Sequence, residues 1–328
     1  MALRTRLTEA FGLRHPIVLA PMDPASGGAL AAAVSAAGGL GLIGGGYGDH
    51  DRLTREFAAA GNQRVGCGFI TWSMARDPTL LDAALARAPA ALMLSFADPA
   101  PFAGRIHASG IPLICQVHTV AQARRALEVG ATAIVAQGTE AGGHGLTARG
   151  TMAFVPALAD LIARERPETL LLAAGGIADG RGLAGALALG ADGALMGTRF
   201  WATREALIHP AAQQRVLAAT GDDTVRTQVY DIARQRPWPS AYTGRLLRNA
   251  FIETWHGRED DLRSRAAERG QAVVEADAAG DYDVANVTVG EAVGLIDDLP
   301  GAGELVRRIA EEAEACILGR LGGLIAAS

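Results

Sequence analysis

Eight short apolar runs recur through about the first 200 residues, at 17–20, 40–43, 65–70, 91–96, 112–117, 133–137, 170–174 and 193–196. Each is continuous rather than alternating, the pattern of parallel strands buried on both faces. Helix-like stretches fill the gaps at 28–37, 79–88, 119–129, 152–164 and 179–189. In 119–129, Val120, Ala123 and Leu127 share one face while Arg124, Arg125 and Glu128 share another. That is an amphipathic crossover helix. Eight such alternations predict an α/β fold, a (β/α)8 TIM barrel, with a doubly wound open sheet as the alternative.

Strand starts lie 23, 25, 26, 21, 21, 37 and 23 residues apart. The long interval follows the sixth run and contains "AQGTEAGGHGLTARGT" at 136–151. Barrel active sites are built from loops at the C-terminal strand ends, so the longest such loop is a functional candidate. Its glycines are poor helix and strand formers, which predicts irregular structure. His144 stands between Gly143 and Gly145, with no neighbouring side chain to bury it. A histidine so placed at a barrel mouth is a candidate for acid–base chemistry. Glu140 is expected to cap the glycine turn rather than orient the imidazole. No His or Cys stands near His144 at metal-ligand spacing, and H-E-x-x-H is absent, so no metal is expected.

Two later segments, "LAAGGIADG" at 172–180 and "LMGTRF" at 195–200, follow strands seven and eight. In many barrels these two loops bind a phosphate. Gly175, Gly176 and Gly197 would let backbone N–H groups approach an anion, Thr198 would add a hydroxyl, and Arg199 could assist. The bland alternative is that the glycines only close tight turns. "GLGLIG" at 39–44 matches G-x-G-x-x-G literally but follows a helix within an apolar run, so a packed strand is preferred to a dinucleotide fingerprint. "LAPM" at 19–22 could line the face of an aromatic cofactor or plug the barrel.

Beyond residue 199 the chain becomes more polar, with helical stretches at 210–220 and 260–270 and a rigid loop, "RQRPWPSAY", at 234–242. We read 201–290 as a smaller, mainly helical lid domain over the C-terminal mouth. The barrel would comprise 1–200 completed by 291–328, with the periodic tail at 303–325 returning to cover it. Trp72, Phe96, Trp238 and Tyr242 would line a pocket or pack the core.

Composition narrows the chemistry. Hydrophobic residues are 49 % and charged residues 20 %, enough for a large core, and the net charge is −5. That charge argues against nucleic acid as a partner. All 30 basic residues are arginine, which excludes the usual Schiff-base, pyridoxal phosphate and P-loop chemistries, each built on a lysine amine. Three scattered cysteines offer no disulfide framework and fit a reducing, cytoplasmic compartment. The N-terminal stretch does not read as a signal peptide, and no membrane span is expected.

The quoted loop, the two glycine-rich segments, "PIVLAPM" and "TGRLLRN" at 243–249 together resemble the nitronate monooxygenase family, formerly 2-nitropropane dioxygenases, over nearly the whole chain. The resemblance implies non-covalent FMN in the barrel and oxidation of alkyl nitronates by O2 to a carbonyl compound and nitrite. Carried over by position, Ala20, Pro21 and Met22 would lie against the isoalloxazine. Gln137 would hydrogen-bond it, and Gly142 and Gly143 would approach it by backbone. Gly175, Gly176, Met196, Gly197 and Thr198 would hold the phosphate end, and His144 would be the active-site histidine. Two positions depart from the family pattern. Gly68 stands where an Asn near the flavin is usual, so a backbone group or water must replace that amide. Glu291 stands in place of a Gln. An NAD(P)H-dependent flavin reductase acting on quinones or enoyl thioesters is one rival, and a non-catalytic phosphate-ligand barrel another. The expected partners are a small-molecule nitronate and O2, with a homodimer among the options.

Overall fold

The computed structural model describes residues 3–324; Ile325, the end of the periodic tail, lies outside them. Strands β1 (Ile17–Leu19), β2 (Leu42–Gly44), β3 (Gly66–Ile70), β4 (Leu92–Ser95), β5 (Leu113–Val117) and β6 (Ala133–Gln137) correspond to the first six apolar runs. A further strand, β7 (Gly143–Gly145), belongs to a second sheet, and β8 (Leu170–Ala174) and β9 (Gly193–Met196) supply runs seven and eight. The eight are parallel, in the order β1-β9-β8-β6-β5-β4-β3-β2. The ring is joined between its first and last members at Val18 and Leu40. There Leu40 N–H donates to the Ile17 carbonyl at 3.0 Å and Leu19 N–H to the Leu40 carbonyl at 2.9 Å. That closure makes a barrel and removes the open-sheet alternative.

Two apolar layers follow from the strand period of two. Val18, Leu42, Met93, Ile114, Val135, Leu172 and Leu195 fill the barrel interior with Leu7 and Phe11 of the helix Arg6–Phe11, which closes the lower end. Their strand neighbours, among them Leu19, Ile43, Leu94, Cys115, Ile134 and Met196, face outward against the surrounding helices. Toward the mouth the inward positions are Ala20, Gly68 and Ala174. These leave the upper barrel hollow, where a bulkier layer would have filled it.

The chain departs from the barrel after β9 and returns as the helix Ala302–Ala315, seated between the helices Gly180–Ala188 and Gly28–Ala36. The intervening segment carries the helices Pro210–Ala218, Val229–Ala233, Ala250–Trp255, Glu259–Ser264 and Ala266–Ala279. It also carries an antiparallel pair that the helical reading missed, β10 (Thr224–Thr227) and β11 (Thr243–Leu247). Both are short and begin with threonine, a residue favoured on a pleated surface. β11 pairs in turn with β7, so Gly244 stands opposite His144. The expected irregular loop is thus a short strand stitching the barrel to the lid.

Arg199, expected near a phosphate, is buried and turned away from the mouth. Its Nη2 meets Asp298 Oδ1 at 2.5 Å, and Asp298 also pairs with Arg308 at 2.6 Å. The arginine ties the end of the barrel to the returning chain. The returning helix itself needs a glycine: a Cβ on Gly180 would lie 2.5 Å from the Glu312 carbonyl carbon. Gly180→Ala is expected to cost about 1–3 kcal/mol by overpacking. Urea unfolding measures it, and an unchanged midpoint would show that the two helices slide freely.

Candidate active site

A cavity of about 520 Å³ fills the hollow mouth and extends beneath the lid. Its size is that of a small-molecule or cofactor site. Ala20, Pro21, Met22, Gly68, Gln137, Gly142, Gly143, His144, Gly175, Gly176, Gly197 and Thr198 all line it. Met196 does not, because strand alternation points its side chain into the outer layer and gives the cavity Leu195 instead. Met196 contributes its carbonyl, which accepts from Ala20 N–H at 2.9 Å.

The glycine-rich segment is held from the lid side by two guanidinium groups. Arg226, on β10, donates to the carbonyls of Thr139 (3.0 Å), Ala141 (3.3 Å), Gly145 (3.3 Å) and Thr243 (2.8 Å). Arg245, on β11, donates to the Thr139 carbonyl at 3.1 Å and pairs with Glu291 at 2.7 Å. Burial, with Arg245 nearby, lowers the Arg226 pKa to about 10, so the group stays charged at neutral pH. Below the segment, Glu140 accepts from Thr151 N–H at 2.8 Å and from the Thr151 hydroxyl at 3.0 Å. It anchors the first turn of the helix Thr151–Glu165 and stays away from the imidazole, as expected. Gly142 is required by its neighbours, since a Cβ there would lie 2.5 Å from Gly290 N.

His144 Nε2 lies 2.9 and 3.0 Å from the two carboxylate oxygens of Asp231. A carboxylate only accepts, so Nε2 carries a proton, and in the neutral ring Nδ1 keeps the lone pair. The imidazole is stacked on Trp238, with ring centroids 3.5 Å apart and planes 7° from parallel. Phe96 lines the same cavity with a left-handed φ of 68°, a strained conformation for a bulky residue. Trp72 and Tyr242 pack edge-on against Trp238, at 5.2 and 6.1 Å. Asp231 escaped sequence reading because it lies 87 residues from His144 and no local pattern links them.

Gln137 is less free than expected. Its Nε2 donates to the His144 carbonyl at 2.9 Å, and its Oε1 accepts from His118 Nε2 at 3.1 Å. The carbonyl fixes the amide orientation, and the amide oxygen in turn fixes the His118 tautomer. Gln116, one strand away on β5, lines the cavity with its amide nitrogen buried and unpartnered. A donor of this kind is open to an acceptor on a ligand or a water molecule. Gly68 also has a structural reason: a Cβ there would lie 2.7 Å from Pro21 Cβ, so the proline ring takes the space an Asn would need.

Just after β8, Gly175 and Gly176 adopt φ of 105° and 74°, open only to glycine without strain. The Thr198 hydroxyl accepts from Gly290 N–H at 2.8 Å, which leaves its proton to donate. With Arg199 turned away, an anion here would meet backbone N–H groups and one hydroxyl. Among the described residues no group of three His, Cys, Asp or Glu could hold a metal ion, and no helix is long and apolar enough to cross a membrane.

The fold and mouth cavity define a (β/α)8 barrel with an open mouth and a histidine–aspartate pair on the cavity wall. The family profile described as nitronate monooxygenase matches residues 4–63 and 71–312. The chain belongs to the nitronate monooxygenase family. It is 35 % identical to the nitronate monooxygenase of Neurospora crassa, over 95 % of this chain and 93 % of that one. Among solved structures, FabK from Thermotoga maritima superposes with a TM-score of 0.85 at 29 % identity, covering 98 % of this chain and all of that one. A nitroalkane oxidase from Streptomyces ansochromogenes superposes at 0.78 and 26 % identity, covering 96 % and 100 %.

Two outcomes test this geometry. Arg226→Met strands several carbonyls beneath the lid and should cost about 2 kcal/mol or more; denaturant unfolding would show otherwise if the midpoint holds. Burial pushes the His118 pKa down to about 4, against about 6.5 when unfolded. The unfolded state therefore takes up a proton first as pH falls. Native stability from this group is intact above about pH 6.5 and is lost toward pH 4, roughly 2 kcal/mol of it by pH 5. Unfolding at pH 8 and pH 5 should show this extra loss in the wild type and not in His118→Gln. Equal losses would reject the assignment.

Proposed function

We propose that the protein oxidises alkyl nitronates, and nitroalkanes after proton removal, with O2 to carbonyl compound and nitrite, using FMN in the mouth cavity. The observation that carries this reading is His144, fixed by Asp231 so that the Nδ1 lone pair is its free edge on the cavity wall. The donor set fits FMN. Ala20, Pro21 and Met22 offer an apolar face, Gln116 an unpartnered amide donor, and Gly142 and Gly143 close backbone. Gly175, Gly176, Gly197 and Thr198 would hold the phosphate without a basic side chain. When bound, FMN supplies the redox chemistry, accepting electrons from the nitronate carbon and returning them to oxygen.

The chain's own residues do the rest. With a neutral nitroalkane, His144 Nδ1 removes the α-proton, and the Asp231 carboxylate stabilises the resulting imidazolium through Nε2–H. With a nitronate already formed, protonated Nδ1 donates a hydrogen bond to a nitro oxygen. Leu246 and Phe96 give the substrate an apolar surround, and the lid limits water. Two nitronates and one O2 yield two carbonyls and two nitrites, which balances atoms and charge. The three scattered cysteines, all free thiols, suit work in the reducing cytoplasm.

His144→Asn is expected to reduce kcat/KM on a nitroalkane by about 10²–10⁴-fold with FMN still bound. Asp231→Asn should follow it by about 10² or more, through loss of the tautomer. Full activity of His144→Asn on both nitroalkane and nitronate would sink the catalytic role. The FabK superposition favours one second reading, a flavin reductase. Rapid flavin bleaching on anaerobic mixing with NADH or NADPH, absent with nitronate, would establish that reading instead. A colourless protein lacking absorbance near about 450 nm would leave only a phosphate-ligand barrel.

A further inference from the structure

A histidine on a strand flanked by two glycines has no side-chain neighbours on its own segment to hold its ring. Asp231 fixes one edge of His144, which leaves the ring free to swing about the Nε2–carboxylate contact. Trp238 removes that freedom, because a parallel indole 3.5 Å away sets the plane. The indole is itself fixed from several sides. Its Nε1–H donates to the Tyr47 hydroxyl at 2.8 Å, and Phe96 meets it edge-on at 5.0 Å. Pro237 and Pro239 flank it in sequence and restrict its backbone. Tyr47 belongs to the turn after β2, and the Arg236 guanidinium lies 4.1 Å over its ring. The contact Arg236–Tyr47–Trp238–His144 thus runs from the lid loop to the barrel and back to the site.

We propose that Trp238 is a positioning residue for the reaction and that Tyr47 latches it. The indole sets the plane of the His144 imidazole and keeps Nδ1 on the cavity side. The site is complete only when the loop at 234–242 is docked on the barrel turn at 45–48. This rests on the reading of His144 as the base. Proton removal demands close alignment of base and C–H bond, and a misplacement of about 1 Å can cost about 10²-fold. A nitronate needs no proton removed, so its turnover depends less on the ring plane.

The test compares Trp238→Leu, Trp238→Phe and Tyr47→Phe as FMN-loaded enzymes. Trp238→Leu should lose about 10²-fold in kcat on a nitroalkane, with KM and flavin content near wild type and a smaller loss on the preformed nitronate. Trp238→Phe, which restores an aromatic face, should recover most of that loss. Tyr47→Phe should fall between them. The His144 ring C–H protons should be shifted upfield by the indole in the wild type and in Asp231→Asn, and lose that shift in Trp238→Leu. Equal losses on both substrates, no rescue by phenylalanine, or an unchanged proton shift in Trp238→Leu would each overturn the proposal. If the wild type oxidises neither nitronate nor nitroalkane, the proposed function fails, and the ring-proton shifts still decide whether Trp238 sets the imidazole plane.

Discussion

The site depends on carbonyl groups that have nowhere else to go. A glycine-rich segment crossing a barrel mouth cannot join the barrel ladder, so its C=O groups need partners from outside. Arg226 and Arg245 supply them, taking the Thr139, Ala141 and Gly145 carbonyls between them. Five fixed donors on each guanidinium suit this task better than a lysine ammonium would. Both arginines sit on the β10–β11 ribbon, so the same segment that pairs with β7 also holds the loop's carbonyls. The three-residue strand carrying His144 exists only because β11 is there to pair with it.

That coupling gives the site a divided origin. The barrel provides the hollow, the left-handed backbone of Gly175 and Gly176, and the Gln116 donor. The lid provides Asp231 and Trp238, the two groups that give the imidazole a tautomer and a plane. His118 lies beneath, neutral because it is buried, and works through Gln137 to brace the backbone carbonyl of His144. An imidazole so surrounded on its strand has few ways to move.

Several elements were legible from the residues. All eight barrel strands fall on the apolar runs, because a strand buried on both faces leaves a continuous apolar signature. The thirty-seven-residue interval flagged the site because an excess of chain at a strand end must go somewhere. The β-ribbon was not legible, since Thr224–Thr227 and Thr243–Leu247 are too short and too polar to stand out before they pair. The family resemblance places Met196 and Gln137 at a ligand by position, whereas Met196 faces the outer layer and the Gln137 amide is already hydrogen-bonded. The direction of a side chain and the prior use of an amide are facts of packing that position does not carry.

By itself, the sequence determined the number and order of the barrel strands, the hollow left by small residues at the mouth, and the glycine-bound histidine there. Those are local properties, fixed by hydrophobic period and by what glycine permits. Only the tertiary structure decided what that histidine can do. Asp231 and Trp238 reach it from 87 and 94 residues away (231 − 144 and 238 − 144). Contacts over such distances along the chain are set by how the lid docks on the barrel, and no local pattern records them.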